Sequence, residues 1–286
     1  MKLGLVLEGG GMRGVYTSGV LDEMMLNGIK VDGLIGVSAG IIHGTTYVAE
    51  QFARNIRYFV KYRDDKRFMS FNSMIKTGDV CEEQFCYHDI PEKLYPLDFD
   101  TFKKNAENNI EVYSVASNLE TGKAEYLRIT DLKEQMDAVR ASASLPIVSR
   151  VVEYDGKKML DGGSTDSIPL KAMQDMGFEK NIVVLTRPDG YQKKPDRSMP
   201  LMKMYYGDYP EYLKACRERH ICYNEELLYV QRCKLQGSAF VIKPSRTIKI
   251  SRSEKSIEKI KKMYKLGRFD AMNQMEALKK YVEECK

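Results

Sequence analysis

The first sixty residues alternate two hydrophobic patterns. Leu3 to Leu7 is a short unbroken apolar run, as expected of a strand buried on both faces; Val15, Val20, Leu21, Met24 and Met25 then recur at helical spacing, and Gly28 supplies a stop. Val31 to Val37 predicts another buried strand and Ile41 to Phe59 a long helix. Strand, helix, strand, helix in this order predicts a parallel sheet. Farther on, the runs Ile110 to Ala116 and Ala124 to Ile129, joined by Asn118 to Lys123, predict a hairpin. A second hairpin is expected where Val151 to Tyr154 and Lys158 to Leu160 flank Asp155-Gly156, a pair that tolerates the positive φ of a tight turn. Asn181 to Thr186 reads as one more buried strand.

After Gly190 the pattern changes. Prolines at 195, 200 and 210 punctuate a stretch rich in Tyr and Met that reaches about Gln236, including Met199, Met202, Met204, Tyr205, Tyr206, Tyr209 and Tyr212. This segment is a candidate lid; the expectation favoured here is a helical pair packing its aromatics on the main domain. Ile257, Ile260 and Tyr264 share a helical face, and a last helix runs to about Glu284. The expected organisation is a catalytic α/β domain over residues 1–190 and a mostly helical region over 191–286.

Composition narrows the class. An apolar share of 43% and a charged share of 30% in 286 residues suit a globular chain with a sizeable core. Met1 to Leu7 is too short for a signal peptide, and no stretch approaches the roughly 20 apolar residues of a membrane-spanning helix, so any contact with lipid is expected from the aqueous side. Six cysteines without C-x-x-C spacing are read as reduced thiols in a cytoplasmic protein. Three histidines, His43, His88 and His220, argue against a histidine-rich metal site. The net charge of +5 does not imply nucleic acid. Ten Lys or Arg against two acids between Lys243 and Arg268 are read first as a solvated helix face and second as a contact with an anionic membrane surface.

Three motifs carry chemistry. Gly36-Val37-Ser38-Ala39-Gly40 is a G-x-S-x-G at a strand-to-helix junction, where a nucleophile elbow needs small residues on both sides of a strained serine. Gly9-Gly10-Gly11-Met12-Arg13-Gly14 follows the first strand and opens the first helix, leaving amides free to hold a phosphate or an oxyanion. Gly9, Gly11 and Gly14 also fit the dinucleotide fingerprint, but that reading needs an acid at the end of the second strand; Asp32 stands at its start and Ser38 at its end. Asp161-Gly162-Gly163 places a carboxylate on a tight turn at a strand end.

The histidine count then separates two mechanisms. A Ser-acid-His triad of α/β-hydrolase order leaves only His220 as its histidine. His43 follows Ser38 by five residues, roughly 140° round the helix, and His88 precedes any candidate acid. Asp161 is therefore the expected general base for Ser38.

Together the motifs resemble the patatin-like phospholipase family: its G-G-G-x-R-G loop at Gly9 to Gly14, its G-x-S-x-G at Gly36 to Gly40, and its D-G-[AG] at Asp161 to Gly163. Ala141-Ser142-Ala143-Ser144-Leu145-Pro146 is similar to its A-S-x-S-x-P stretch, and Asp166 to Pro169 to the segment after its aspartate; the likeness spans roughly residues 1 to 190. It implies a three-layer α/β/α fold with a mainly parallel sheet and a C-terminal helical extension. It also implies Ser38 as nucleophile, Asp161 as base, amides of Gly10, Gly11 and Met12 around the oxyanion with Arg13 ordering the loop, and neither cofactor nor metal. A phospholipid or other long-chain ester is the implied substrate, with a soluble-ester carboxylesterase as the alternative.

Overall fold

The computed structural model describes residues 1–285. It opens with β1 (Leu3–Leu7), α1 (Val15–Leu26), β2 (Gly33–Val37) and α2 (Ala39–Val48), the strand-helix alternation that the apolar pattern predicts. The long helix expected over 41–59 is two helices. Glu50 and Ala53 take positive φ (54° and 56°), and α3 (Arg54–Tyr62) restarts in a new direction, with the Ala53 amide donating to the Asp22 carboxylate at 3.0 Å. Neither residue is Gly or Pro, so nothing local marks the break.

Next come α4 (Phe71–Thr77), a wide-turned helical segment Gln84–Leu94, and α5 (Phe99–Asn108). The predicted hairpins follow as β3 (Glu111–Asn118) with β4 (Ala124–Ile129), and, after α6 (Met136–Ala143), as β5 (Val152–Tyr154) with β6 (Lys157–Asp161). Then come α7 (Leu170–Asp175), β7 (Lys180–Val184), α8 (Met199–Tyr206), α9 (Pro210–Leu235), β8 (Ala239–Ile242), α10 (Ile257–Asn273) and α11 (Met275–Glu283).

The strands form one sheet in the order β5-β6-β3-β2-β1-β7-β8, with β4 on the far edge of β3. β3, β2, β1, β7 and β8 run parallel; β4 and β6 are antiparallel to β3. Successive side chains of a strand face opposite ways, and both faces here are covered. Leu5 and Leu7 of β1, Leu34, Ile182 and Ile242 join the core under α1, α2 and α10. Val6, Ile35, Val37, Val183 and Val241 join the core under α7 and α9, with Tyr223, Val230 and Cys233 of α9. This is a three-layer α/β/α arrangement. Double-sided burial explains why these strands read as unbroken apolar runs.

The C-terminal region is mostly helical, and part of the Tyr- and Met-rich stretch is core: Tyr206, Tyr212 and Met202 pack with Leu119 and Leu160, whereas Met204 and Tyr205 stand exposed. It also holds a strand the sequence pattern passed over. β8 is four residues long, lies beyond residue 190 and extends the same sheet alongside β7. Lys259, Lys261, Lys262 and Lys265 stand exposed on the outer face of α10, as a solvated helix face does.

Candidate active site

Pairing on β3 decides where Ser38 and Asp161 meet. β4 takes one edge of β3, from Val112 to Ser117. On the other edge β2 pairs as far as Val37 opposite Val115, and β6 takes over with Asp161 opposite Ala116. The last residue of β6 therefore lies one register step beyond the last residue of β2. At that step β2 turns sharply at Ser38, whose φ of 54° and ψ of −122° lie outside the ordinary regions for a side-chain-bearing residue. The turn needs its glycines. A Cβ on Gly36 would stand 2.6 Å from the Ile41 Cα, and one on Gly40 would overlap the Leu7 carbonyl. Backbone strain of this kind costs about 1–3 kcal/mol and persists only where surrounding packing fixes it.

The Ser38 hydroxyl donates to Asp161 Oδ2 at 2.6 Å. The other carboxylate oxygen, Oδ1, accepts the Gly163 amide at 2.8 Å, so both oxygens are held. Ser38 and Asp161 are 7% and 4% exposed, and burial pushes the Asp161 carboxyl above its ordinary range, opposed by the Ser38 hydrogen bond and the nearby Arg219. The stretch 141–146, which motif likeness flagged without giving it a task, braces both groups. The Ser142 hydroxyl accepts the Ser38 amide at 2.8 Å, and the Ser144 carbonyl accepts the Asp161 amide at 2.8 Å.

The glycine loop lies against this elbow, with Gly9 next to the Val37 carbonyl and Ser38 Cβ. Gly11 has φ of 55°, a conformation glycine takes freely. Among the described residues the amides of Gly10 and Gly11 have no hydrogen-bond acceptor, whereas the Met12 amide donates to the Arg252 carbonyl at 2.9 Å. Met12, expected as a third donor, is thus already partnered, and its side chain is core. Gly14 packs on Ala39 and His43 at the start of α1. Glu8, just before the loop, is buried and accepts the Tyr223 hydroxyl at 2.6 Å and the Thr186 hydroxyl at 3.0 Å, tying the loop to α9 and to the end of β7. Gly162 packs against the Val115 carbonyl, which keeps the Asp161 turn on β3.

No histidine hydrogen-bonds Ser38 or Asp161 among the described residues. His43 is wholly buried beside Phe59, at 5.4 Å between ring centroids, and burial lowers its pKa to about 3. His88 lies 3.1 Å from Glu92 and His220 3.1 Å from the Arg217 carbonyl.

Two hollows meet at Asp161. One, about 40 Å³, holds Ser38, Asp161, the Gly9–Gly11 loop and the side chains of Arg13, Arg187, Lys193, Arg219 and Arg252. The other, about 440 Å³, runs between Phe71, Met74, Pro146, Ile147 and Met202 and shares Leu145, Asp161, Arg219 and Arg252 with the first. Lys193, Arg187, Arg219 and Tyr223 carried no sequence signal; Arg252 belonged to the flagged basic stretch, but nothing local distinguished it from its neighbours. None of the described helices is long and apolar enough to cross a membrane, and no cluster among the described residues has the makings of a metal site.

The site thus joins a buried serine on a strained elbow, a carboxylate on its hydroxyl and unpartnered glycine amides beside it, at the strand ends of an α/β fold. The patatin-like phospholipase model matches residues 5–173, more than half of the chain, and the chain belongs to that family, whose members are hydrolases acting on esters. A domain of unknown function (DUF6363) matches residues 209–283. The uncharacterized protein YjjU of Escherichia coli is 24% identical over 93% of this chain and 75% of its own length. Lysophospholipase NTE1 of Candida albicans is 28% identical over 64% of this chain, which spans only 13% of that protein. The solved structure of VipD from Legionella pneumophila is 12% identical, with a TM-score of 0.46, over 96% of this chain and 67% of that one.

Proposed function

We propose that the protein is a lipid acyl hydrolase in which Ser38 and Asp161 form a two-residue catalytic pair working through an acyl-enzyme. The observation carrying this reading is the 2.6 Å hydrogen bond from the Ser38 hydroxyl to a buried carboxylate. In the first half-reaction Ser38 Oγ bonds to the ester carbonyl carbon as its proton passes to Asp161 Oδ2. The negative charge moves to the carbonyl oxygen, within reach of the Gly10 and Gly11 amides; one such donor is worth about 3 kcal/mol in the transition state. Collapse breaks the bond to the alcohol oxygen, which leaves with the proton held on Asp161. In the second half a water gives its proton to Asp161, its oxygen attacks the acyl carbon, and Ser38 Oγ recovers the proton as the acid departs. Burial makes Asp161 a stronger base than an exposed aspartate.

The apolar groove of about 440 Å³ beside Asp161 favours a long acyl chain over a short one. The test combines a fluorophosphonate probe, with the modified residue located by mass spectrometry, and a nitrophenyl-ester series of rising chain length. Labelling at Ser38 and a kcat/KM that climbs to medium or long chains are expected. A modified residue other than Ser38 overturns the mechanism, and a preference for acetate or butyrate returns the protein to the soluble-ester carboxylesterases.

A further inference from the structure

The smaller hollow gathers five cationic side chains, Arg13, Arg187, Lys193, Arg219 and Arg252, around two carboxylates, Glu8 and Asp161. The two acids do not neutralise them. Glu8 is occupied by Thr186 and Tyr223, Asp161 by Ser38 and Gly163, and among the described residues none of the five cations forms an ion pair. Their alternatives are aromatic faces. The Arg187 guanidinium lies 4.1 Å from the Tyr191 ring centroid and the Lys193 ammonium 4.1 Å from that of Tyr223. Nε of Arg13 and of Arg219 are buried with no hydrogen-bond partner.

Like charges outnumbering their counter-charges are costly where the groups are partly withdrawn from water. Arg13, Lys193 and Arg252 all show it: burial and the neighbouring cations lower each pKa, Lys193 to about 7 and Arg13 to about 10. An anion inside would offset this crowding. The guanidinium N–H groups of the arginines that line the hollow suit the oxygens of a tetrahedral oxyanion. A quaternary ammonium is disfavoured there by the five cations, and the Tyr191 and Tyr223 faces are already covered by Arg187 and Lys193.

Resting on the acyl-hydrolase reading, we propose that this hollow seats a phosphate group of the substrate. The preferred substrates are then acyl esters ending in an anionic phosphate monoester, with the acyl chain in the apolar groove and the scissile carbonyl at Ser38 between them.

The test uses three short-chain esters kept below micelle formation: a diacylglycerol phosphate, the matching phosphocholine and the uncharged diacylglycerol. For the wild type, kcat/KM for the phosphate monoester is expected to exceed that for the phosphocholine at least tenfold. In Arg187→Gln and Lys193→Gln this ratio falls toward one, while Lys193→Arg keeps most of it. Absence of a preference, or a preference that survives both glutamine variants, overturns the proposal. In parallel, inorganic phosphate is titrated into Ser38→Ala, whose melting temperature is followed, so one readout does not depend on a cation variant folding. A phosphate-dependent rise supports the seat, and no rise up to tens of millimolar overturns it. A rise without any preference for the phosphate monoester shows a site for the free anion and overturns the substrate assignment. If the wild type cleaves none of the three esters, the acyl-hydrolase reading fails, and the phosphate titration alone judges the seat.

Discussion

The two walls of the hollow at Ser38 are built in different ways. The wall with Ser38, Asp161 and the glycine loop comes from residues 8–163, and its parts sit at strand ends whose positions are fixed by the register of β1, β2, β3 and β6. The facing wall takes Arg187 and Lys193 from the loop after β7, Arg219 and Tyr223 from α9, and Arg252 from the connection before α10. On the first wall the backbone does most of the positioning, through tight turns, amides and glycines. On the second, long side chains reach inward from helices and loops. Backbone geometry tolerates little substitution; reaching side chains are exchangeable. The first wall therefore suits chemistry common to a family, and the second suits a choice among substrates.

The largest test of this contrast lies on the first wall. Ser38→Ala is expected to cut ester hydrolysis by on the order of 10⁴-fold or more without unfolding the protein, measured as kcat on a nitrophenyl ester beside the circular dichroism spectrum. Asp161→Asn is expected to cost on the order of 10³-fold to 10⁴-fold and, unlike most losses of function, to stabilise. The Asp161 carboxyl has a raised folded-state pKa, so the native state binds the proton more tightly than the unfolded chain, and ionisation at neutral pH costs stability. Calorimetry should show the variant melting higher, with the gap opening as pH climbs above about 4, the unfolded aspartate value. The same raised pKa means that wild-type kcat/KM on an uncharged ester rises with pH through a value above that of an exposed aspartate, because the base must be ionised. A profile flat down to pH 4 would remove Asp161 from the base role.

Gly40→Ala probes the backbone itself. Its new methyl meets the Leu7 carbonyl, and a loss of about 2–3 kcal/mol is expected, read as a melting temperature lower by roughly 5–10 °C. On the second wall effects are smaller and depend on pH. Sulfate stays a dianion from pH 6 to 9, so any weakening of its binding over that range reports the protein. Lys193, facing Arg13, Arg219, Arg252 and Glu8 with a pKa near 7, should give a several-fold loss centred there, and Lys193→Gln should flatten it. The smallest expected effect is that of His220→Ala, with kcat within about twofold of wild type, since His220 lines neither hollow and, among the described residues, its ring hydrogen-bonds only the Arg217 carbonyl. A large loss there would restore a histidine to the mechanism.

Much of this was legible beforehand where a local rule carried the information. The predicted strand at 3–7, the 124–129 strand and the turn at Asp155-Gly156 agree with β1, β4 and the β5–β6 hairpin, because apolar runs and turn residues encode them directly. The break between α2 and α3 was not legible, since Glu50 and Ala53 are poor predictors of positive φ. Nor was β8, four residues long and stabilised only by finding the edge of β7. Ser142 and Ser144 stood in a recognisable stretch, but their work of holding the amides of Ser38 and Asp161 depends on how α6 meets β2 and β6.

Sequence alone determined which residues had chemistry to offer on the first wall: a serine between glycines at a strand end, an aspartate on a glycine turn, and amides left bare by a glycine loop, all of them consequences of backbone geometry written over a few residues. Only the tertiary structure decided that β6 succeeds β2 along one edge of β3, bringing hydroxyl and carboxylate to 2.6 Å. It alone also decided which five of the chain's 45 Lys and Arg line the hollow at Ser38. The physical reason is range: a turn is specified by its own residues, whereas convergence of side chains 239 positions apart, from Arg13 to Arg252, is specified by the packing of everything between them.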